Sequence, residues 1–223
     1  PFAEGYVLPI DKPLGWTSSD VVRKIKVMMR RLGHRKIKVG HAGTLDPLAT
    51  GILIVCLGRA TKQAEALQAQ PKEYLTTLAL GATTPSFDME HPVDRTFPYE
   101  HITRQMLEEA LRAMEGEQMQ LPPVYSAKSI DGKRAYEYAR QGTEVEMRRA
   151  PVTVYGMRLE SFEPPRATLR IRCSKGTYIR SIARDLGEKL GSGAYLTALC
   201  RTRSGDFTLE DLSLIHISEP TRH

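Results

Sequence analysis

A carboxylate is caught between glycine-rich backbone and a proline in the run Gly40-His41-Ala42-Gly43-Thr44-Leu45-Asp46-Pro47-Leu48-Ala49-Thr50-Gly51. Directly beyond it stands an unbroken apolar run, Ile52-Leu53-Ile54-Val55-Cys56-Leu57. Pro47 has no N–H and biases Asp46 away from helix, towards an extended or turn backbone. Gly40, Gly43 and Gly51 admit backbone shapes closed to other residues, including close approach to a ligand. The apolar run reads as a strand buried on both faces. A fold for this chain must therefore seat residues 52–57 in a core and leave Asp46 on a stiff loop at its edge. Nucleophilic catalysis needs such an arrangement; an Asp-Pro turn before a core strand is the plainer alternative.

Around this anchor, helical and strand patterns are mixed. Ser18 or Ser19 is placed to cap a helix whose apolar residues Val21, Val22, Ile25, Met28, Met29 and Leu32 recur at helical spacing, with Gly33 as its stop. In residues 74–80, Tyr74, Thr76, Leu78 and Leu80 share one face of a strand. Residues 81–98 read as a loop. Thr103 opens a second helix with Met106, Leu107, Ala110, Leu111 and Met114 on its stripe, ended by Gly116. Asp131-Gly132 is a hairpin signal joining 124–130 to a segment that becomes helix over 135–140. Strands follow at 152–158 and 167–173. Gly176 then opens a helix with Ile179, Ile182, Ala183, Leu186 and Leu190 buried and Arg180 and Arg184 on the opposite flank. Without strict βαβ alternation the class is α+β, a largely antiparallel mixed sheet flanked by helices.

Charge narrows the partners. Lys plus Arg number 32 against 26 acids, a net +6 on 223 residues. Arg23, Lys24, Lys26, Arg30, Arg31, His34, Arg35, Lys36 and Lys38 crowd the stretch just before the Asp46 loop. Such a run is either a solvated helix face or a phosphate-facing patch, and phosphate contacts supply most non-specific nucleic-acid affinity. Cys56, Cys173 and Cys200 are odd in number and far apart, which fits reduced core thiols of a cytoplasmic protein rather than a disulfide framework or zinc site. No run of 18 apolar residues is present, so no membrane-spanning helix is expected.

The 40–51 run resembles the active-site loop of the TruB family of tRNA pseudouridine synthases. Further blocks resemble that family in order: Asp11-Lys12-Pro13-Leu14-Gly15-Trp16-Thr17-Ser18, Lys72-Glu73-Tyr74, Tyr125-Ser126-Ala127-Lys128, Tyr136-Glu137-Tyr138-Ala139-Arg140-Gln141-Gly142 and Cys173-Ser174-Lys175-Gly176-Thr177-Tyr178-Ile179-Arg180. The resemblance covers roughly residues 5–210 and implies a pseudouridine-synthase-like catalytic domain over 1–212. Residues 213–223 resemble translated sequencing-adapter read-through and are set aside as non-native; the family's small C-terminal PUA-type domain is expected to be absent.

What the resemblance implies about chemistry is specific. Asp46 would be the nucleophile, attacking either the ribose C1′ or the uracil C6. Arg180 would pair with it, an interaction of roughly 4 kcal/mol before desolvation at about 4 Å and an effective dielectric near 20. Tyr74 would stack on the uracil and remove the C5 proton. His41 would enter the space left by a flipped base, or contact its neighbour. Leu199 would line the pocket floor. Lys12, Lys175, Arg184 and Arg201 would be phosphate-binding or loop-stabilising cations. The isomerisation neither gains nor loses atoms, so neither cofactor nor metal is expected. The partner implied is the T stem-loop of tRNA, at the position numbered 55 by convention, with no membrane and no obligate protein partner. The competing readings are a non-catalytic tRNA-binding or RNA-folding protein on the same scaffold, and the guide-RNA-dependent branch of the superfamily.

Overall fold

A computed structural model describes residues 4–126, 129–130, 133–142 and 146–212. They form an α+β fold in two compact units: one holds residues 4–70 and 200–212, the other 71–199. Among the described residues no helix is long and apolar enough to cross a membrane.

The first unit begins with β1 (Tyr6–Lys12), α1 (Ser18–Arg31), β2 (Val39–Ala42), β3 (Ala49–Leu57) and a short α2 (Ala64–Gln68). β3 is the central strand, pairing antiparallel with β1 and with β2. All of it except Thr50 is buried, as the apolar run requires, and it begins three residues earlier than that run. Ile52, Ile54 and Cys56 form a core with Ala42 and Ala60, against which Val7, Leu67 and Phe207 pack. α1 buries Val21, Ile25 and Met29. Its N-cap is Thr17 rather than Ser18 or Ser19. The Thr17 hydroxyl accepts from Asp20 N at 3.0 Å while the Asp20 carboxylate accepts from Thr17 N at 2.9 Å, a reciprocal capping box. At the other end Gly33 sits at φ +90°, and His34 N donates to Met29 O while Gly33 N donates to Arg30 O. This paired closure is the Schellman motif that a C-terminal glycine makes accessible.

The second unit contains β4 (Lys72–Leu80), β5 (Ala82–Thr83), β6 (Arg95–Thr96), α3 (Arg104–Ala113), β7 (Gly116–Gln120), β8 (Ser129–Ile130), β9 (Lys133–Arg134), α4 (Ala135–Arg140), β10 (Ala150–Glu163), β11 (Arg166–Cys173) and α5 (Ile179–Lys189). β4 pairs with β11, β11 with β10, and β10 with β7, all antiparallel. On β4 the residues at 72, 74, 76, 78 and 80 are buried and those between are half-exposed. On β11, Ala167, Leu169, Ile171 and Cys173 are fully buried. On the alternate face, Arg170 bonds Glu73 at 3.0 Å and Glu160 at 2.9 Å, tying three strands together. α3, capped by Thr103, packs on β10 and α5. β12 (Ala194–Ser204) and β13 (Phe207–Thr208) close the chain.

Several expectations change. The 81–98 loop contains the short β5–β6 pairing. Among the described residues of the strand placed at 124–130, Ser129–Ile130 are strand, paired with Lys133–Arg134. The Asp131-Gly132 turn between them lies outside the described residues, as do Ala127, Lys128 and the 213–223 segment. β10 outruns its predicted 152–158 because its first part pairs with β7 and the rest with β11.

Candidate active site

The Asp46 loop is braced on several sides within the first unit. Ser18, freed from capping, accepts from Leu45 N at 3.0 Å and donates to Leu45 O at 3.2 Å, fixing the residue before Asp46 to α1. The Lys12 ammonium, fully buried, donates to Pro13 O at 3.0 Å, Trp16 O at 2.6 Å and Pro47 O at 3.3 Å. Gly15 N also donates to Pro47 O, and Ala49 N donates to Asp46 O. The Arg201 guanidinium, 2% exposed, completes the clamp. It donates to Ile52 O at 2.8 Å, Gly43 O at 3.1 Å and Thr44 O at 3.4 Å.

Gly51 makes that clamp possible. Its φ is +96°, and a Cβ there would fall 2.2 Å from the Arg201 carbonyl oxygen and 2.7 Å from its nitrogen. Only glycine lets β3 pass the Arg201 backbone this closely. Lys12 and Arg201 thus have the geometry of loop braces, one of the two roles left open for them. Burial, partly offset by the charges of Asp46, Asp11 and Asp20, lowers the Lys12 pKa to about 8. His41 lies on β2 opposite Val55, half-buried. Its Nδ1 is buried and has no hydrogen-bond partner among the described residues, and its pKa is held below the usual imidazole value by burial and then by Arg201.

In the second unit Tyr74 sits on β4 opposite Ile171, 8% exposed. Arg180 is the second residue of α5. The side chain of Gln120, at the end of β7, sets that helix's start: its Oε1 accepts from Tyr178 N at 2.9 Å and its Nε2 donates to Tyr178 O at 3.2 Å. Arg180 and Arg184 were placed on a flank opposite the apolar stripe; instead Arg180 is buried and Arg184 half-buried. That side of α5 is covered by two irregular segments. Arg180 Nη1 donates to Ser86 O at 3.2 Å, and its Nε lies 4.0 Å from the Asp88 carboxylate. Arg184 donates to Leu121 O at 2.8 Å and to Asp185 at 3.0 Å, with its guanidinium 5.9 Å from the Phe87 ring centroid.

The turn that meets Arg180 is itself tightly built. Phe87 adopts φ +58°, a left-handed conformation that costs a non-glycine residue about 1 kcal/mol or more. Thr84 Oγ1 donates to Asp88 O at 2.6 Å, and Leu196 N donates to Phe87 O. Ser86 and Asp88 are buried polar residues that sequence reasoning missed; their only trace was their place in a Thr/Pro/Ser/Asp-rich loop. Leu199 is half-buried on β12, and Lys175 is exposed in the turn before α5. Among the described residues no group of three or more His, Cys, Asp or Glu is placed to hold a metal.

Comparison with known proteins bears on both units. The TruB family pseudouridylate synthase N-terminal domain matches residues 30–179. The tRNA pseudouridylate synthase B C-terminal domain matches residues 180–219, ending within the segment set aside above. A tRNA pseudouridine synthase B of Phocaeicola vulgatus is 56% identical over 94% of this chain and 90% of its own length. The Bacteroides fragilis protein of the same name is 54% identical with the same coverage. A crystal structure of a Cbf5-Nop10-Gar1 complex contains a chain 30% identical, with a TM-score of 0.70 over 93% of this chain. This chain spans about half the length of that one, covering 50% of it.

Proposed function

The chain belongs to the TruB family of pseudouridylate synthases, and from that premise we propose that it converts uridine to pseudouridine in the T stem-loop of tRNA, at position 55. The observation that carries the reading is the braced Asp46 loop: Lys12, Ser18 and Arg201 fix the backbone on both sides of this aspartate. A nucleophile must be aimed before substrate arrives, and pre-fixed geometry supplies much of the rate in such reactions.

In this proposal Asp46 attacks the target nucleoside, at C1′ or at C6, and the N1–C1′ bond breaks. The uracil turns within the pocket and bonds C1′ through C5, the bond to Asp46 breaks, and N1 gains a proton as C5 loses one, so no atom is gained or lost. Tyr74 stacks on the base, worth about 1–3 kcal/mol, and takes the C5 proton. Arg180 supplies the positive charge of the catalytic apparatus. His41, whose pKa burial holds below the usual imidazole value, enters the space left by the flipped nucleotide. Leu199 supplies apolar lining, and exposed Lys175 contacts phosphate.

RNA backbone finds a second support in the first unit. A cavity of about 690 Å³ opens between the end of α1 and the residues after β3, lined by Arg35, Lys36, Lys38, Arg59, Lys62 and His34 among others. Among the described residues that line it none is acidic, so the charge a phosphate chain would meet there is positive, with Ile37 and Thr61 between the cations. RNA is recognised largely by such shape and backbone contacts. The test is direct. Incubation with an unmodified T-arm stem-loop and chemical mapping gives pseudouridine at the single predicted uridine; no product, or product elsewhere, overturns the assignment.

A further inference from the structure

Beyond the residues the reaction is expected to use, Ser86 is the node of a buried polar chain that reaches away from Arg180. Its carbonyl accepts from Arg180 at 3.2 Å, while its hydroxyl lies 2.6 Å from Asp88 Oδ1 and 3.0 Å from His91 Nδ1. Ser86 is fully buried and Asp88 nearly so. Asp88 Oδ1 also accepts from Glu90 N at 2.9 Å, and Asp88 Oδ2 faces Arg180.

A hydroxyl has one proton to give. The short contact to an acceptor-only carboxylate claims it, so towards His91 the Ser86 oxygen can only accept. Nδ1 of His91 must therefore carry a proton. The imidazole also meets Tyr125, ring centroids 4.6 Å apart and planes tilted by 47°. Tyr125 lies a few residues beyond Leu121, whose carbonyl is held by Ser181 at 2.8 Å and by Arg184 on α5. One imidazole thus bridges the turn that holds Arg180 and the 121–126 segment.

We propose that His91 is a positioning residue for Arg180: its Nδ1–H fixes the Ser86 hydroxyl in the orientation that holds Asp88, and its ring seats Tyr125. His91 touches no reacting atom in this account. The inference rests on the reading of Arg180 as part of the catalytic apparatus, but its geometric half stands apart from activity.

That half is read from the nitrogen spectrum of ¹⁵N-labelled full-length chain, at a pH where the ring is neutral. The expected result is the Nδ1–H tautomer for His91; an Nε2–H tautomer overturns the proposal even if the enzyme is active. The functional half uses paired substitutions. His91→Phe keeps an aromatic ring against Tyr125 and removes the donor; kcat is expected to fall about tenfold with KM within about twofold. His91→Asn carries an N–H near the Nδ1 position and should recover kcat to within about threefold, whereas His91→Gln, whose N–H lies near Nε2, should not. In a Ser86→Ala background His91→Phe should add no further loss, because the bond is already gone. An unchanged kcat for His91→Phe, equal rates for Asn and Gln, or a full additional loss in the Ser86→Ala background each overturns it. An inactive wild type, by contrast, sinks the synthase reading and leaves the tautomer result to decide this one. Should His91→Phe not fold, the Asn and Gln pair decides.

Discussion

The buried guanidinium of Arg201 donates through Nε to the main-chain carbonyl of Ile52 at 2.8 Å. The same group reaches Gly43 O and Thr44 O, so one cation holds the backbone on both sides of Asp46. Arg201→Met fills similar volume but leaves three carbonyls without their donor. At about 1–3 kcal/mol for each unsatisfied buried group, with partial relaxation, the expected loss is about 3–5 kcal/mol. Urea denaturation reads it from the midpoint at unchanged slope. Arg201→Lys should recover less than half, since a point charge cannot match the planar fork. A loss below about 1 kcal/mol for Arg201→Met would mean the clamp is incidental.

Lys12 makes a pH prediction. Burial lowers its pKa from 10.5 to about 8 despite Asp46, Asp11 and Asp20 nearby. The folded value lies below the unfolded one, so between these pH values the unfolded chain binds more protons and stability from this group rises with pH. Below about pH 8 both states are charged and the cost of burying the ammonium is carried in full. The unfolding free energy of wild type relative to Lys12→Met should grow by up to about 3 kcal/mol from pH 7.5 to 10.5. Urea titrations at matched ionic strength measure it, and a difference flat across that window contradicts the assignment.

Much of this architecture is legible in the chain, for identifiable reasons. Tyr74, Thr76, Leu78 and Leu80 are buried together because a strand alternates its faces, and the same rule exposes Glu73 to Arg170. The cap of α1 was written in the sequence as Thr17 with Asp20 three residues on; the neighbouring serines obscured it. What resists such reading is long-range. Ser86 meets Arg180 across 94 positions, and Gln120 meets Tyr178 across 58. Neither has periodicity or a motif to announce it. A helical wheel finds the apolar stripe of α5 but cannot foresee that the irregular segment at 84–88 and the chain leaving β7 at 120–121 will cover the flank carrying Arg180 and Arg184.

Arg180→Lys retains charge while losing the fork that addresses the Ser86 carbonyl and the Asp88 carboxylate at once. The expected result is a fall in kcat of at least about tenfold, with RNA affinity within about threefold in filter binding. Equal loss in affinity and rate would place Arg180 in RNA contact instead.

The basic cavity predicts salt behaviour. Arg59 and Lys62 are exposed on its rim. Replacing both with Glu should weaken stem-loop-containing tRNA binding at least about tenfold near physiological salt. It should also flatten the dependence of log affinity on log salt by about one to two. A titration series in which neither value moves would remove this surface from the RNA path.

The nucleophile is the claim on which the rest depends, and Asp46→Asn addresses it with the smallest change available. The amide keeps the shape of the carboxylate, and the clamps from Lys12, Ser18 and Arg201 fall on neighbouring backbone atoms. The measurement is pseudouridine formed in unmodified tRNA by a pure preparation at enzyme excess, with binding followed in parallel. The account predicts no product above background and affinity within about threefold of wild type; measurable turnover by the asparagine variant would contradict it.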